Sequence, residues 1–198
     1  IEKISLKGVA PGRLLRLKPD DPRVLDTHAL ITVSTLLPPP EKIGELEKHL
    51  EQLYLGNCVG NIKICCLADH HGAPRPSMPE DKAALNAAVK AFDRLNSKYG
   101  GGFILAVRRR TYSKTQNEFT GKERKRGAIT DLVAAIKGDG RAFVCLHGDR
   151  ASLHKVKYLI ALDSDTGLAF DGARLLVAAA EHPANRPIID GGRVVKGY

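Results

Sequence analysis

Short apolar runs rich in β-branched residues alternate, nearly one for one, with longer stretches whose apolar side chains recur at helical spacing, and few folds accept that order. Leu30 to Leu37 reads as a strand that stops at the triple proline Pro38 to Pro40. Glu41 to Tyr54 then places Ile43, Leu46, Leu50, Leu53 and Tyr54 on one face of a helix. Ile62 to Ala68 is a second strand ending at Asp69, and the proline-rich stretch from Gly72 to Pro79 is a loop. A long helix from Glu80 to Tyr99 carries its stripe through Ala84, Leu85, Ala88, Val89, Phe92 and Leu95, and Gly100 to Gly102 end it. Phe103 to Val107 is a third strand. Beyond a basic segment, Thr130 to Lys137 reads as a short helix closed by Gly138, Ala142 to Leu146 as a strand, Val156 to Leu162 as a strand and Gly172 to Glu181 as an Ala-rich helix. This β-α-β-α-β order predicts an α/β fold, a mostly parallel sheet with helices on both faces.

A chain of 198 residues that is 43% hydrophobic fills one domain better than two. We divide it into a lead-in segment, 1–26, and a domain, 27–198. No stretch reaches the roughly 18 apolar residues of a membrane span, and no signal peptide opens the chain, so a soluble globular domain is expected. The first residue is Ile1 rather than Met, which reads as part of a larger or processed protein. Cys58, Cys65, Cys66 and Cys145 form neither a C-x-x-C pair nor a zinc-site spacing, and are expected to be core thiols in a reducing compartment.

The strand Tyr158 to Leu162 runs into Asp163-Ser164-Asp165. Alternate strand residues share a face, so Asp163 and Asp165 are expected to project together at the carboxyl edge of the sheet, where open α/β sheets bind ligands. A hard cation, Mg²⁺ or Mn²⁺, takes one or two carboxylates plus the oxygens of a substrate phosphate, as a sugar-nucleotide transferase requires. A solvated strand end is the plainer reading of the same three residues.

The net charge of +9 is concentrated. Arg108, Arg109, Arg110, Lys114, Lys122, Arg124, Lys125 and Arg126 face only Glu118 and Glu123 between Val107 and Gly127. Such a segment suits any polyanion, whether nucleic acid, anionic lipid or pyrophosphate. Only Tyr112 and Phe119 interleave with it, and no RNA-binding or helix-turn-helix signature accompanies it. A non-catalytic basic α/β module binding a polyanion such as nucleic acid is therefore the alternative, not the favoured reading.

Three separated stretches carry a family resemblance. Arg108 through Gly127, with Glu123-Arg-Lys-Arg-Gly127 at its end, Lys157-Tyr-Leu-Ile-Ala-Leu-Asp-Ser-Asp-Thr166, and His182-Pro-Ala-Asn-Arg-Pro187 resemble the glycosyltransferase domain of bacterial cyclic β-1,2-glucan synthases. Leu67-Ala-Asp69 followed by Met78-Pro-Glu-Asp81 extends the match to about Leu30 to Tyr198, while Gly72, Lys122 and Gly167-Leu-Ala169 depart from the family's pattern. The resemblance implies a partial GT-A-like domain, the Rossmann-like nucleotide-binding half of that fold, using UDP-glucose, a glucan acceptor and a divalent metal. It also implies a place on the cytoplasmic face of a bacterial inner membrane, within a large integral membrane protein. By position, Asp69 would meet the donor's uracil or ribose, Arg124, Lys125 and Arg126 its diphosphate, and Asp163 and Asp165 the metal. A helix or loop cap is an equal reading of Asp69, and a solvated charged face of each basic residue.

The remaining candidates attract plainer readings. His70 and His71 are expected to be solvent-exposed loop histidines rather than metal ligands, and His182 a helix-end group. An inverting transferase needs a carboxylate base for the acceptor hydroxyl. Glu181 and Asp190 are the nearest downstream, neither lies in a motif, and the base is expected beyond Tyr198. A further sheet strand is expected near Val194-Val195, with the sheet left incomplete and prone to homodimerise through its edge.

Overall fold

The computed structural model describes residues 14–196. Nine strands and six helices occur among them. In chain order they are α1 Pro22–Leu25, β1 Ala29–Leu36, α2 Ile43–Asn57, β2 Ile62–Asp69, α3 Pro79–Tyr99, β3 Phe103–Arg108, β4 Thr111–Ser113 and β5 Glu118–Thr120. There follow α4 Arg124–Ile136, β6 Phe143–Gly148, α5 Arg150–Leu153, β7 Tyr158–Asp163, α6 Gly172–Glu181, β8 Ile188–Asp190 and β9 Arg193–Lys196.

Five strands form the central sheet in the order β6-β3-β2-β1-β7, with β6 alone antiparallel. The mostly parallel sheet expected from the alternation is present. Residue alternation along each strand feeds two separate cores. Ile31, Val33, Ile64, Cys66, Phe103 and Leu105 pack with Leu50 and Leu53 of α2, Ala88 and Phe92 of α3, and Val177 of α6. Leu30, Cys65, Leu67, Ile104 and Ala106 point the other way, onto Ala128 and Leu132 of α4 and Leu153 of α5. Cys65 and Cys66 thus occupy opposite faces as expected, and burial pushes the Cys66 thiol up to about 12.

Residues 14–26 do more than lead in. Val24 is buried in the first core, and the Leu17 amide donates to the carbonyl of Ala178 at 3.1 Å. Asp21 caps α1 by accepting from the Arg23 amide.

Three stretches differ from the sequence reading. The basic segment, given no element in the sequence reading, contains β4 and β5, which close a hairpin in which Tyr112 pairs with Phe119. The helix expected from Thr130 begins six residues earlier, at Arg124. Its first turn contains Gly127, a poor helix former that masks the start. A strand does form at Val194-Val195, but it pairs with β8 in a separate two-stranded hairpin and adds nothing to the central sheet.

Candidate functional site at the sheet switch point

The sheet grows from β1 to β2 to β3 in one direction, and β7 returns to the opposite side of β1. Strand order therefore reverses between β1 and β7. At such a point the connections leave in opposite directions and open a crevice at the carboxyl edge. A cavity of about 350 Å³ lies there. Ser34, Thr35 and Leu36 of β1, Asp69 of β2, Arg124, Lys125 and Ala128 of α4 and Asp163 of β7 line it, with His71, Gly72, Glu118 and Thr120 from the neighbouring loop and hairpin. The Oγ atom of Ser34 is buried and has no hydrogen-bond partner.

One buried arginine organises the wall. Arg108 lies at the end of β3 on the α4 face, 2% exposed, and all five of its N–H groups find acceptors. Its Nε and Nη2 donate to the two oxygens of Asp69, both at 2.7 Å, and Nη1 donates to Asp131 at 2.8 Å. The remaining bonds, each 3.1 Å, reach the carbonyls of Lys122 and Arg124. β3, β2, the loop before α4 and α4 itself are thereby tied to a single guanidinium. Two glycines make room for it. A Cβ on Gly121 would stand 2.4 Å from the Asp69 carboxylate, and one on Gly127 would stand 2.0 Å from the Lys122 carbonyl.

Asp163 and Lys125 are held differently. Lys125 Nζ donates to Asp163 Oδ1 at 2.6 Å, and the two side chains are 41% and 62% exposed. Exposed pairs of this kind contribute at most about 1 kcal/mol, whereas separating a buried pair costs about 3–5 kcal/mol. A ligand can therefore recruit Lys125 and Asp163 but not displace Arg108 from Asp69. Asp69 keeps lone pairs for a ligand only outside its bidentate contact.

A second cluster braces the other side of the β2 end. Arg110 clasps Asp81 with two bonds of 2.5 and 2.9 Å and donates through Nε to the His71 carbonyl at 2.6 Å. Asp81 Oδ2 also accepts from the Met78 amide at 2.8 Å, capping α3. The Arg110 guanidinium holds the Asp81 carboxyl below the usual carboxylate range. His70 is buried beside Asp81, 3.4 Å away, and burial pushes its imidazole down. The expectation of a solvent-exposed His70 is thus overturned, since the loop folds inward around the Arg110–Asp81 pair.

The site residues read from the sequence divide accordingly. Asp69, Arg124, Lys125 and Asp163 meet in one cavity, while Arg126 and Asp165 are not among its lining residues. β7 ends at Asp163, and the Thr166 amide donates back to the Asp163 carbonyl at 3.0 Å, so Asp165 sits in a turn. The strand alternation that was to align the two carboxylates stops one step short. Arg124, Lys125 and Arg126 belong to the first turn of α4 rather than preceding a helix. Glu181 lies at the far, amino edge of the sheet, 3% exposed, and accepts from Thr27 at 3.1 Å and Lys157 at 2.5 Å. Asp190 is in the β8–β9 hairpin, and His182 Nδ1 accepts from the Ala184 amide at 3.2 Å.

Sequence reasoning missed Arg108 and Arg110 as buried organisers. Two of the eight basic residues are interior, and Lys125 and Arg126 are paired with Asp163 and Glu123. The only signal was the placement of Arg108 directly after an apolar strand, in register to meet Asp69.

Fold and crevice together define an open α/β protein with a polar cavity, lined by Arg124 and Lys125, at its switch point. No family model matches the chain. It is 32% identical over 194 residues, 95% of its length, to the cyclic beta-(1,2)-glucan synthase NdvB of Rhizobium meliloti (strain 1021). The chain spans about 7% of that protein's length. The resemblance drawn from three motifs thus extends over nearly the whole chain.

Proposed function

We propose that the switch-point cavity binds the diphosphate of UDP-glucose, and that the chain is the donor-binding part of a transferase that adds glucose to a growing β-1,2-glucan. The likeness to a glucan synthase supports a role related to glycosyl transfer. The single observation that carries the donor reading is the meeting of Arg124 and Lys125 with Asp163 across the reversal in strand order. Two cations on the first turn of a 13-residue helix suit a diphosphate, because they add to the positive dipole end of that turn. The unpaired Ser34 hydroxyl at the cavity supports a polar ligand.

Among the described residues, no group of three His, Cys, Asp or Glu gathers round a point. Asp163 at the strand tip and Asp165 in the turn after it, both exposed, nevertheless offer carboxylates suited to a hard cation whose other ligands are phosphate oxygens. Asp163 and Asp165 would hold Mn²⁺ or Mg²⁺ in that way, and the metal would supply Lewis-acid stabilisation of the departing diphosphate. Lys125 now neutralises Asp163 and would turn to the phosphates once the donor is bound. Asp69, fixed by Arg108, would orient the nucleoside rather than move.

The surrounding protein is proposed to be a larger synthase at the cytoplasmic face of a bacterial inner membrane. Among the described residues, no helix is long and apolar enough to cross a membrane.

Calorimetry with UDP and Mn²⁺ tests the reading. The chain should bind UDP more tightly with Mn²⁺ than without. Asp163→Ala and Asp165→Ala should each remove that difference while leaving the circular dichroism spectrum unchanged, because exposed carboxylates contribute little packing. Metal-independent affinity in the unmodified chain, or full metal dependence in both variants, refutes the assignment. Tight, salt-sensitive nucleic-acid binding that UDP does not compete would favour the polyanion module instead.

A further inference from the structure

A second depression, of about 730 Å³, adjoins the first and is lined by the β4–β5 hairpin and residues 121–124, and Thr120 and Arg124 line both. We propose that this groove binds a saccharide chain, the acceptor glucan, alongside the donor cavity; the proposal rests on the donor reading above.

Its lining chemistry is that of a sugar site. Thr111, Ser113, Thr115 and Thr120 supply hydroxyls, Gln116 an amide, and Tyr112 a ring that is 52% exposed. A sugar offers hydroxyls that pair with such groups and an apolar C–H face that stacks on an aromatic ring. Only Lys122, Glu123 and Arg124 are charged in the lining, a net of one positive charge, so the groove is not suited to a polyanion.

The platform is fixed before any ligand arrives. The Tyr112 ring packs on Phe119 at 5.3 Å, and its hydroxyl donates to Asn117 at 2.7 Å. Phe119 is bonded through both its amide and its carbonyl to Ala73, at 2.8 and 3.0 Å. The partition between groove and cavity is anchored by Arg108 on the carbonyls of Lys122 and Arg124. Within that partition Glu123 and Arg124 both take positive φ, 54° and 43°, a costly conformation for two consecutive non-glycine residues and one that collects at functional sites. Preorganisation of this kind lowers the entropy lost on binding.

Nuclear magnetic resonance titration of the 198-residue chain with a linear β-1,2-gluco-oligosaccharide reads the groove directly. Amide shifts are expected in β4, β5 and residues 121–124. Tyr112→Leu should weaken the oligosaccharide about five- to tenfold, as expected for loss of an aromatic contact. Tyr112→Phe, which keeps the ring, should retain affinity within about twofold. The affinity of both variants for UDP with Mn²⁺ should stay that of the unmodified chain, a separate arm that reports on the donor reading alone. Absence of shifts at saturating oligosaccharide, shifts confined to another surface, or equal affinity of Tyr112→Leu and the unmodified chain would overturn the proposal. Loss of donor binding in the unmodified chain would instead fall on the donor reading.

Discussion

Arg108 shows how a residue's chemistry can exceed its charge. Its planar guanidinium reaches five acceptor atoms on three other segments, which a lysine, with three donors on one point, cannot do. Arg108→Lys should therefore destabilise the fold by about 3 kcal/mol in urea unfolding, the lower end of the cost of breaking a buried ion pair. It should also weaken donor binding, because the first turn of α4 hangs from this side chain through the Arg124 carbonyl. A loss below about 1 kcal/mol would mean that Arg108 is no more than a surface-type pair.

Among the elements, α4 decides how the cavity is built. Gly127 lies in its first turn, where alanine is the better helix former by about 1 kcal/mol. Propensity alone thus predicts that Gly127→Ala stabilises. The Lys122 carbonyl, 2.0 Å from the position of the added carbon, is backbone held by Arg108 and cannot step aside cheaply. Forced overpacking costs about 1–3 kcal/mol, so the contact should win and Gly127→Ala should lower the thermal midpoint. A raised midpoint would show that the loop before α4 is softer than its hydrogen bonds indicate. β7 contrasts with α4 because its tip is solvated, and the exposed Asp163 can leave Lys125 for another partner there.

For the molecule as a whole, the Arg110–Asp81–His70 cluster links stability to pH. Burial lowers the folded His70 below its usual 6.5, so the unfolded chain binds the extra proton more readily. Its contribution is intact above about pH 6.5 and is lost as pH falls toward the folded value. The Asp81 carboxyl is lowered by the Arg110 hydrogen bonds, so its contribution holds above the unfolded value of 3.8 and goes as pH falls through the folded one. Urea midpoints should therefore be flat between about pH 7 and pH 8, below the range where unfolded thiols ionise, decline modestly as pH falls from about 6.5, and decline again below the unfolded carboxyl value. His70→Gln should remove the first decline and keep the second. An unchanged first decline in that variant would place the proton elsewhere.

Local pattern and chain chemistry sufficed for much of this protein. Alternating apolar faces in β1, β2 and β3 and helical stripes in α2 and α3 are short-range periodicities, and each strand or helix displays its own. The first carboxylate of Asp163-Ser-Asp165 at a strand tip and the opposite facing of Cys65 and Cys66 follow from the same alternation. The start of α4 was hidden because Gly127 answers to the Lys122 carbonyl, a tertiary demand that overrides helix propensity. The burial of Arg108, Arg110 and His70 was equally hidden, since a charged segment carries no local mark of which cations find carboxylates on other strands. Above all, Lys125 and Asp163 lie 38 residues apart and meet only because β7 joins the sheet beside β1. That placement is set by how two faces of a sheet are buried at once, so the order of strands, and with it the cavity, belongs to the tertiary structure alone.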